Sequence, residues 1–270
     1  MPRALVLYRA PPTKLQELGP EGILKKLDGA SLLELREYFE EREDKAALRR
    51  LEALSRVVLD LDGRISPLKA TSRDARLIFS YRYALRFSYV VRGERRVATH
   101  EVSMEHDVWV RVGSGLVVVF DAPSRRISGA IVQLISLRLF DDPTVITPLS
   151  LGHAYAEAIE RWVSSKEHEV PGAVIRATFR RARLGDVVLD EVSLKREGLD
   201  ATAIYGDIKA SAHELYALTF VTPRIPEIGR RITCKLDRRG GLLVYTPGLR
   251  EVDLEVLLAK LEQVLGLSPR

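Results

Sequence analysis

Nine arginines set the chemistry this chain has most of to offer. The stretch SYRYALRFSYVVRGERR, residues 80–96, carries Arg82, Arg86, Arg92, Arg95 and Arg96. A second stretch, AVIRATFRRARL, carries Arg176, Arg180, Arg181 and Arg183. A guanidinium is a planar fork that gives a phosphate two hydrogen bonds at once and never loses its charge. Several on one surface would displace counterions from a polyanion, and such binding weakens steeply with salt. The first stretch alternates: Phe79, Tyr81, Tyr83, Leu85, Phe87, Tyr89 and Val91 stand at odd positions, while Arg82, Arg86 and Arg92 stand at even ones. On a strand those arginines share one face and the aromatic face is the natural core side. In the second stretch Arg176 and Arg180 share a face, and Arg181 and Arg183 share the other. Tyr81, Tyr83, Phe87 and Tyr89 would also suit stacking on bases, but an aromatic stripe at strand spacing reads first as core. The plain alternative for the arginines is a salt-bridged surface, with Glu94 and Glu101 as nearby partners.

The location of the charge supports the first reading. Residues 71–104 hold seven Arg against three acids, and residues 172–184 hold four Arg and no acid. Each segment is +4, so the rest of the chain sums to −3 within the total of +5. Arg outnumbers Lys 32 to 10, and the chain has no Asn, three Gln, two Met and one Cys. Scarce thermolabile residues and abundant charge read as heat adaptation.

VVLDLDGRIS, residues 57–66, resembles the D-x-D-G nucleophile motif of haloacid-dehalogenase-type phosphatases. The resemblance implies Asp60 as nucleophile, Asp62 as acid/base and Mg²⁺ nearby. GDVVLD, residues 185–190, matches that family's metal loop through Asp186 and Asp190. The chain departs from the pattern where Arg64 stands in the place of the usual Thr. It also lacks the alternation of strands and helices that a parallel sheet requires. D-x-D-G then reads as a turn after a helix, because Leu48, Leu51, Leu54, Val58 and Leu61 keep helical spacing.

Other chemistry is sparse. On one strand His100 and His106 stand ~20 Å apart, too far for a shared metal. His153, His168 and His213 show no ligand spacing, and Cys234 reads as packing. GSG and RRGG open no helix, so they are hairpin turns rather than phosphate loops. No catalytic residue, metal ligand or cofactor site is assigned. The longest uncharged apolar run, ISGAIVQLISL, is too short to span a bilayer, and the expected location is the cytoplasm.

The elements that must position the arginines follow from periodicity. Residues 13–62 read as helices, with Thr13 at a first cap, GPEGILKKLDG as a second helix, Ser31 and Glu34 as a capping box opening a third and Asp44 at the start of a fourth. This N-terminal helical domain, 1–70, offers a surface for a protein partner. DGRISPLKATSRD reads as its linker. From residue 75 the period becomes two, and an antiparallel α+β domain, 71–270, follows. DVWVRV-GSG-LVVVFDA is a hairpin leading into a helix over SRRISGAIVQLISLRLF. Thr147 and Pro148 open another helix, 147–168. LDATAIYGDIKA reads as a strand. VWVRVGSGLVVVFDAPSRRISGAIVQLIS and ITCKLDRRGGLLVYTPGLREVDLEVLLAKLEQVL share the order strand, glycine turn, apolar strand, proline break, helix. The larger domain therefore reads as an internal duplication, with halves 71–146 and 172–270 and the two basic strands in equivalent places. A curved sheet of that plan resembles the TATA-binding saddle in shape only, since no motif of that family is present.

The expectation is thus an α+β fold and a non-enzymatic binding protein that takes DNA or RNA on a basic sheet surface. A protein-assembly component and the Asp60/Asp62 phosphatase are the other classes.

Overall fold

A computed structural model describes residues 2–150, 152–184 and 186–267, and of Leu184 the backbone alone. In chain order the elements are β1 (Arg3–Arg9), α1 (Pro12–Leu27), α2 (Leu32–Glu41), α3 (Lys45–Ser55), β2 (Val58–Ala70), β3 (Asp74–Val91), β4 (Glu94–Arg111), β5 (Leu116–Phe120) and α4 (Arg125–Phe140). The two-residue β6 (Thr147–Pro148), α5 (His153–Ser164), β7 (Ala173–Leu184), β8 (Val187–Lys195), α6 (Ala203–Ser211), β9 (Glu214–Val221), β10 (Thr233–Asp237), β11 (Gly241–Val244) and α7 (Glu251–Val264) follow. The fold is α+β and its sheet is mainly antiparallel. Among the described residues no helix is long and apolar enough to cross a membrane.

The chain divides into two compact units. One is Arg9–Thr147. Its strands run in the order β2-β3-β4-β5, with α1, α2 and α3 packed on β2 and α4 packed on α1 and α2. Leu15, Ile23, Leu32, Leu35, Ile65 and Phe79 are fully buried in it. Two of the helix starts expected from sequence are present, whereas Thr13 is not a cap: α1 begins at Pro12, after Pro11, without a side-chain cap. Ser31 accepts from the Leu33 amide while Glu34 accepts from the Ser31 amide, and Asp44 caps α3 through the Ala46 and Ala47 amides. The expected break inside α1 is Gly19, at φ 64°, before Pro20.

Residue 70, the expected domain boundary, lies inside this unit, at the hairpin where Ala70 pairs with Ala75. The helix expected through Leu61 stops at Ser55, and Val58–Leu61 with most of the expected linker form the strand β2. Val58 pairs with Tyr83, and Gly63–Ala70 pair with residues 75–81. The competing signal was already present: Leu61, Gly63 and Ile65 are buried while Asp60, Arg64 and Ser66 are exposed, a period of two. Pro67 is tolerated because β2 ends the strand order of this unit, where a missing ladder donor costs least.

The second unit is Met1–Tyr8 with Pro148–Arg270. Its strands run β1-β11-β10-β9-β7-β8. The N-terminal strand is thus paired with one near the C-terminus, Arg3 opposite Val244 and Val6 opposite Gly241. Residues 203–211, expected as strand, are helix α6, with Tyr205 and Ile208 buried three apart on one face. The helix expected from Thr147 starts at His153. The two basic strands do not hold equivalent places. β3 stands two strands from β5, whereas β7 stands three from β11.

Candidate nucleic-acid interface

β3 and β4 pair without a slip over their whole length, from Asp74↔Arg111 to Val91↔Glu94. Arg92 and Gly93 close the hairpin at φ 51° and 82°. Two successive left-handed residues are the type I′ geometry that matches strand twist, and glycine supplies the second at no steric cost. β2 accompanies β3 only as far as the Val58↔Tyr83 pair. Beyond it the hairpin is a bare two-stranded ribbon. Residues 85–97 and 99–100 are all exposed and Ala98 is half-buried.

The ribbon divides the expected aromatic face into two parts. Phe79 and Tyr81 are core, at 0% and 3% exposure, but Phe87 and Tyr89 are 52% and 43% exposed, with ring centroids 6.5 Å apart. Alternation fixes which residues share a face; it does not supply anything to cover that face. Opposite them, pairing puts Arg86 beside Thr99, Ser88 beside Val97 and Val90 beside Arg95. The span 84–100 carries Arg86, Arg92, Arg95 and Arg96 against Glu94, a net of +3.

The arginines differ in what they meet. Arg86 and Arg92 have no ion-pair or hydrogen-bond partner among the described residues. Arg95 donates to the Ser88 hydroxyl at 3.3 Å, and Arg96 lies 3.5 Å from Glu94. Arg82, below the ribbon, is enclosed by Asp62 at 3.2 Å, Glu101 at 3.5 Å and Asp60 at 3.6 Å. Three carboxylates already neutralise it, so it has little left for phosphate. Sequence counting also missed that Arg76 is buried. Its guanidinium sits 4.3 Å from the Trp109 ring and 3.5 Å from Asp74.

In the other unit Val174, Ala177, Phe179 and Ala182 are buried, so the core side changes phase along β7. Register shifts against β9 and a left-handed Arg181 at φ 50° account for it. A bulge moves the following side chains to the opposite face. All four arginines of β7 are therefore exposed, and the expected division of Arg181 and Arg183 from Arg176 and Arg180 does not hold. Their partner strand is acidic, however. Arg180 lies 3.9 Å from Glu191 and stacks 3.9 Å above the Tyr216 ring; Arg176 donates to Ser193. Asp186, Asp190 and Glu191, set against Lys195, halve the charge, from +4 over residues 172–184 to +2 over residues 172–195.

Asp60 and Asp62 lie on a looped-out part of β2, where Asp60 and Leu61 both adopt positive φ, 54° and 52°. Gly63 follows because a Cβ there would stand 2.5 Å from the Phe79 ring and 2.8 Å from Leu32. A cleft of about 450 Å³ beside Asp60 is lined by Glu40 and Glu52 as well as Arg36, and Arg36 is itself paired with Glu40. That setting disfavours a phosphate dianion. Asp190 lies on β8, and Gly185 is outside the described residues. Among the described residues no three His, Cys, Asp or Glu side chains gather to hold a metal ion. Cys234 is fully buried, and burial pushes its thiol far up.

No protein-family model matches the chain, and no curated protein matches it.

Proposed function

We propose that this is a non-enzymatic binding protein that grips DNA or RNA through the β3–β4 ribbon. The observation that carries the reading is the uncovered span 85–100, which joins net positive charge to two exposed aromatic rings. Arg86, Arg92 and Arg95 reach phosphates, with Arg96 beside them. A two-stranded ribbon fits a groove of a duplex, and Phe87 and Tyr89 provide faces on which unpaired bases stack. The arginines of β7 are a secondary basic patch. Arg82 serves the fold.

The test is a salt titration of binding to labelled duplex and single-stranded oligonucleotides. Replacing Arg86, Arg92 and Arg95 with Ala should weaken both and flatten the log–log salt slope by about 3 for a duplex. Phe87→Ala and Tyr89→Ala should cost ~1–3 kcal/mol each on a single strand and little on a duplex. Absence of binding at low salt would sink the reading.

A second reading is an assembly component. Leu85, Val90 and Val97 are exposed on the same ribbon at 44%, 69% and 68%, and a partner that covered them would remove apolar surface from water. Sedimentation of the wild-type chain and of Val90→Lys/Val97→Lys separates the two, because only assembly changes mass.

We also infer that β4–β5–α4 and β10–β11–α7 repeat one plan. In support, each hairpin turns at a left-handed glycine, Gly115 at φ 71° and Gly240 at φ 77°. A Cβ at Gly115 would meet the Ala10 carbonyl oxygen at 2.2 Å, and one at Gly240 the Leu7 oxygen at 2.4 Å.

A further inference from the structure

The unit Arg9–Thr147 has a second cationic surface, away from the strands. A groove of about 420 Å³ runs between α3 and the first half of α4. It is lined by the apolar residues Phe39, Ala47, Leu51, Leu54, Gly129 and Ala130, three of them small. Arg49 and Arg50 line it from α3, Arg125 and Arg126 from α4, and no carboxylate lines it.

Two features of the groove are costly for the fold alone. The first turn of α4 holds two arginines and no acid, although the helix dipole favours acids there and disfavours cations. Glycine weakens a helix interior, yet Gly129 stands inside α4 with an ordinary φ, and a Cβ added to it would meet nothing within 4 Å. The choice of glycine at 129 is not explained by packing within the chain. Arg49, Arg50 and Arg126 also lack ion-pair and hydrogen-bond partners among the described residues.

We infer that this groove docks an acidic amphipathic helix of a partner protein. An apolar stripe at positions i, i+3, i+4 and i+7 would cover the floor, as helix-in-groove recognition requires. Asp and Glu flanking that stripe would meet the arginines of both walls. Gly129 and its alanine neighbours leave room for the partner's larger side chains. A polyanion without an apolar face would leave the floor wet. A single acyl chain would fill the floor but bring one carboxylate, too little charge for the arginines of both walls. The inference does not depend on nucleic-acid binding, which is proposed for the β3–β4 ribbon.

The test is selection of a randomised peptide library, ~14 residues long or about four helical turns, against the full chain. Enriched sequences should carry the apolar stripe with flanking acids. A synthesised representative should lose at least ~10-fold in affinity with Arg49→Glu/Arg126→Glu. It should also be lost with Gly129→Leu, a variant that should melt at or above the wild-type temperature because leucine favours helix. Neither change should alter oligonucleotide binding by the ribbon. The inference falls if nothing is enriched, if the enriched peptides are basic or lack an apolar face, or if Gly129→Leu binds them as well as the wild type. It also falls if polyglutamate of equal charge competes as well as the selected peptide.

Discussion

Asp74 is buried between Arg76 and Arg111, its carboxylate oxygens 3.5 Å and 3.3 Å from their guanidinium nitrogens. All three residues are within 4% of full burial by exposure. Removing this anion takes a buried partner from each of two buried cations, so Asp74→Ala should cost ~3–5 kcal/mol in a urea titration. Exposed Arg82, with three carboxylates of its own, should prove far less sensitive. His106 gives a pH-dependent counterpart. It is buried, it lies 3.3 Å from the Tyr81 hydroxyl, and burial holds its pKa below the usual 6.5. The same burial pushes Tyr81 up to about 12. Below 6.5 the unfolded chain takes up the histidine proton before the folded chain does. Stability from this group is therefore complete above that pH and is lost as the pH falls through the window beneath it. His106→Gln should flatten the decline of the urea midpoint between roughly pH 7 and 5. Residue types alone gave no sign of either cluster. Arg76 looked like any other basic residue in a basic segment, because burial is set by what other elements cover.

The β3–β4 ribbon is stable as an element only by extension from the sheet, since an isolated two-stranded hairpin is marginal in water. Its outer residues touch little but one another. Excising 85–100 and closing Ala84 to Glu101 through Asn-Gly should shift the melting temperature by no more than about 3 °C. The same excision should abolish oligonucleotide binding, which a melting curve beside a binding titration would check. The strand, its alternation and its turn were all legible in the sequence. The point at which β2 stops was not, because the alternation of Phe79 to Val91 runs unbroken through it. On β7 the reverse occurred. The arginine spacing was plain, but the left-handed Arg181 changed which residues face outward, and no local pattern announced that bulge.

At the scale of the whole molecule, each compact unit has a test of its own. Arg9–Thr147 contains a complete core and should fold when produced alone, with one cooperative transition. Pro148–Arg270 lacks β1, whose residues Arg3–Val6 pair with β11. Produced alone it should be less stable than the same segment fused to residues 1–8, and more prone to pair its open edge with another chain. A comparison of thermal melts and sedimentation would decide it. A sequence boundary near residue 70 was the natural reading, since the period changes from helical to alternating there. Contacts divide the chain elsewhere, because the first strand belongs with the last and the helices pack on the strands that follow them.

Local sequence sufficed for the α+β class, the helix starts at Ser31 and Asp44, the hairpins and the positions of the arginines along them. These rest on local chemistry: caps, turn glycines and the period of apolar residues act within a few residues of chain. The tertiary structure alone decided which arginines stay available and where the aromatic stripe leaves the core. It also decided that the N-terminal strand completes the sheet of the C-terminal unit. Those outcomes depend on which distant segments meet, and burial and ion pairing are properties of the meeting rather than of either segment.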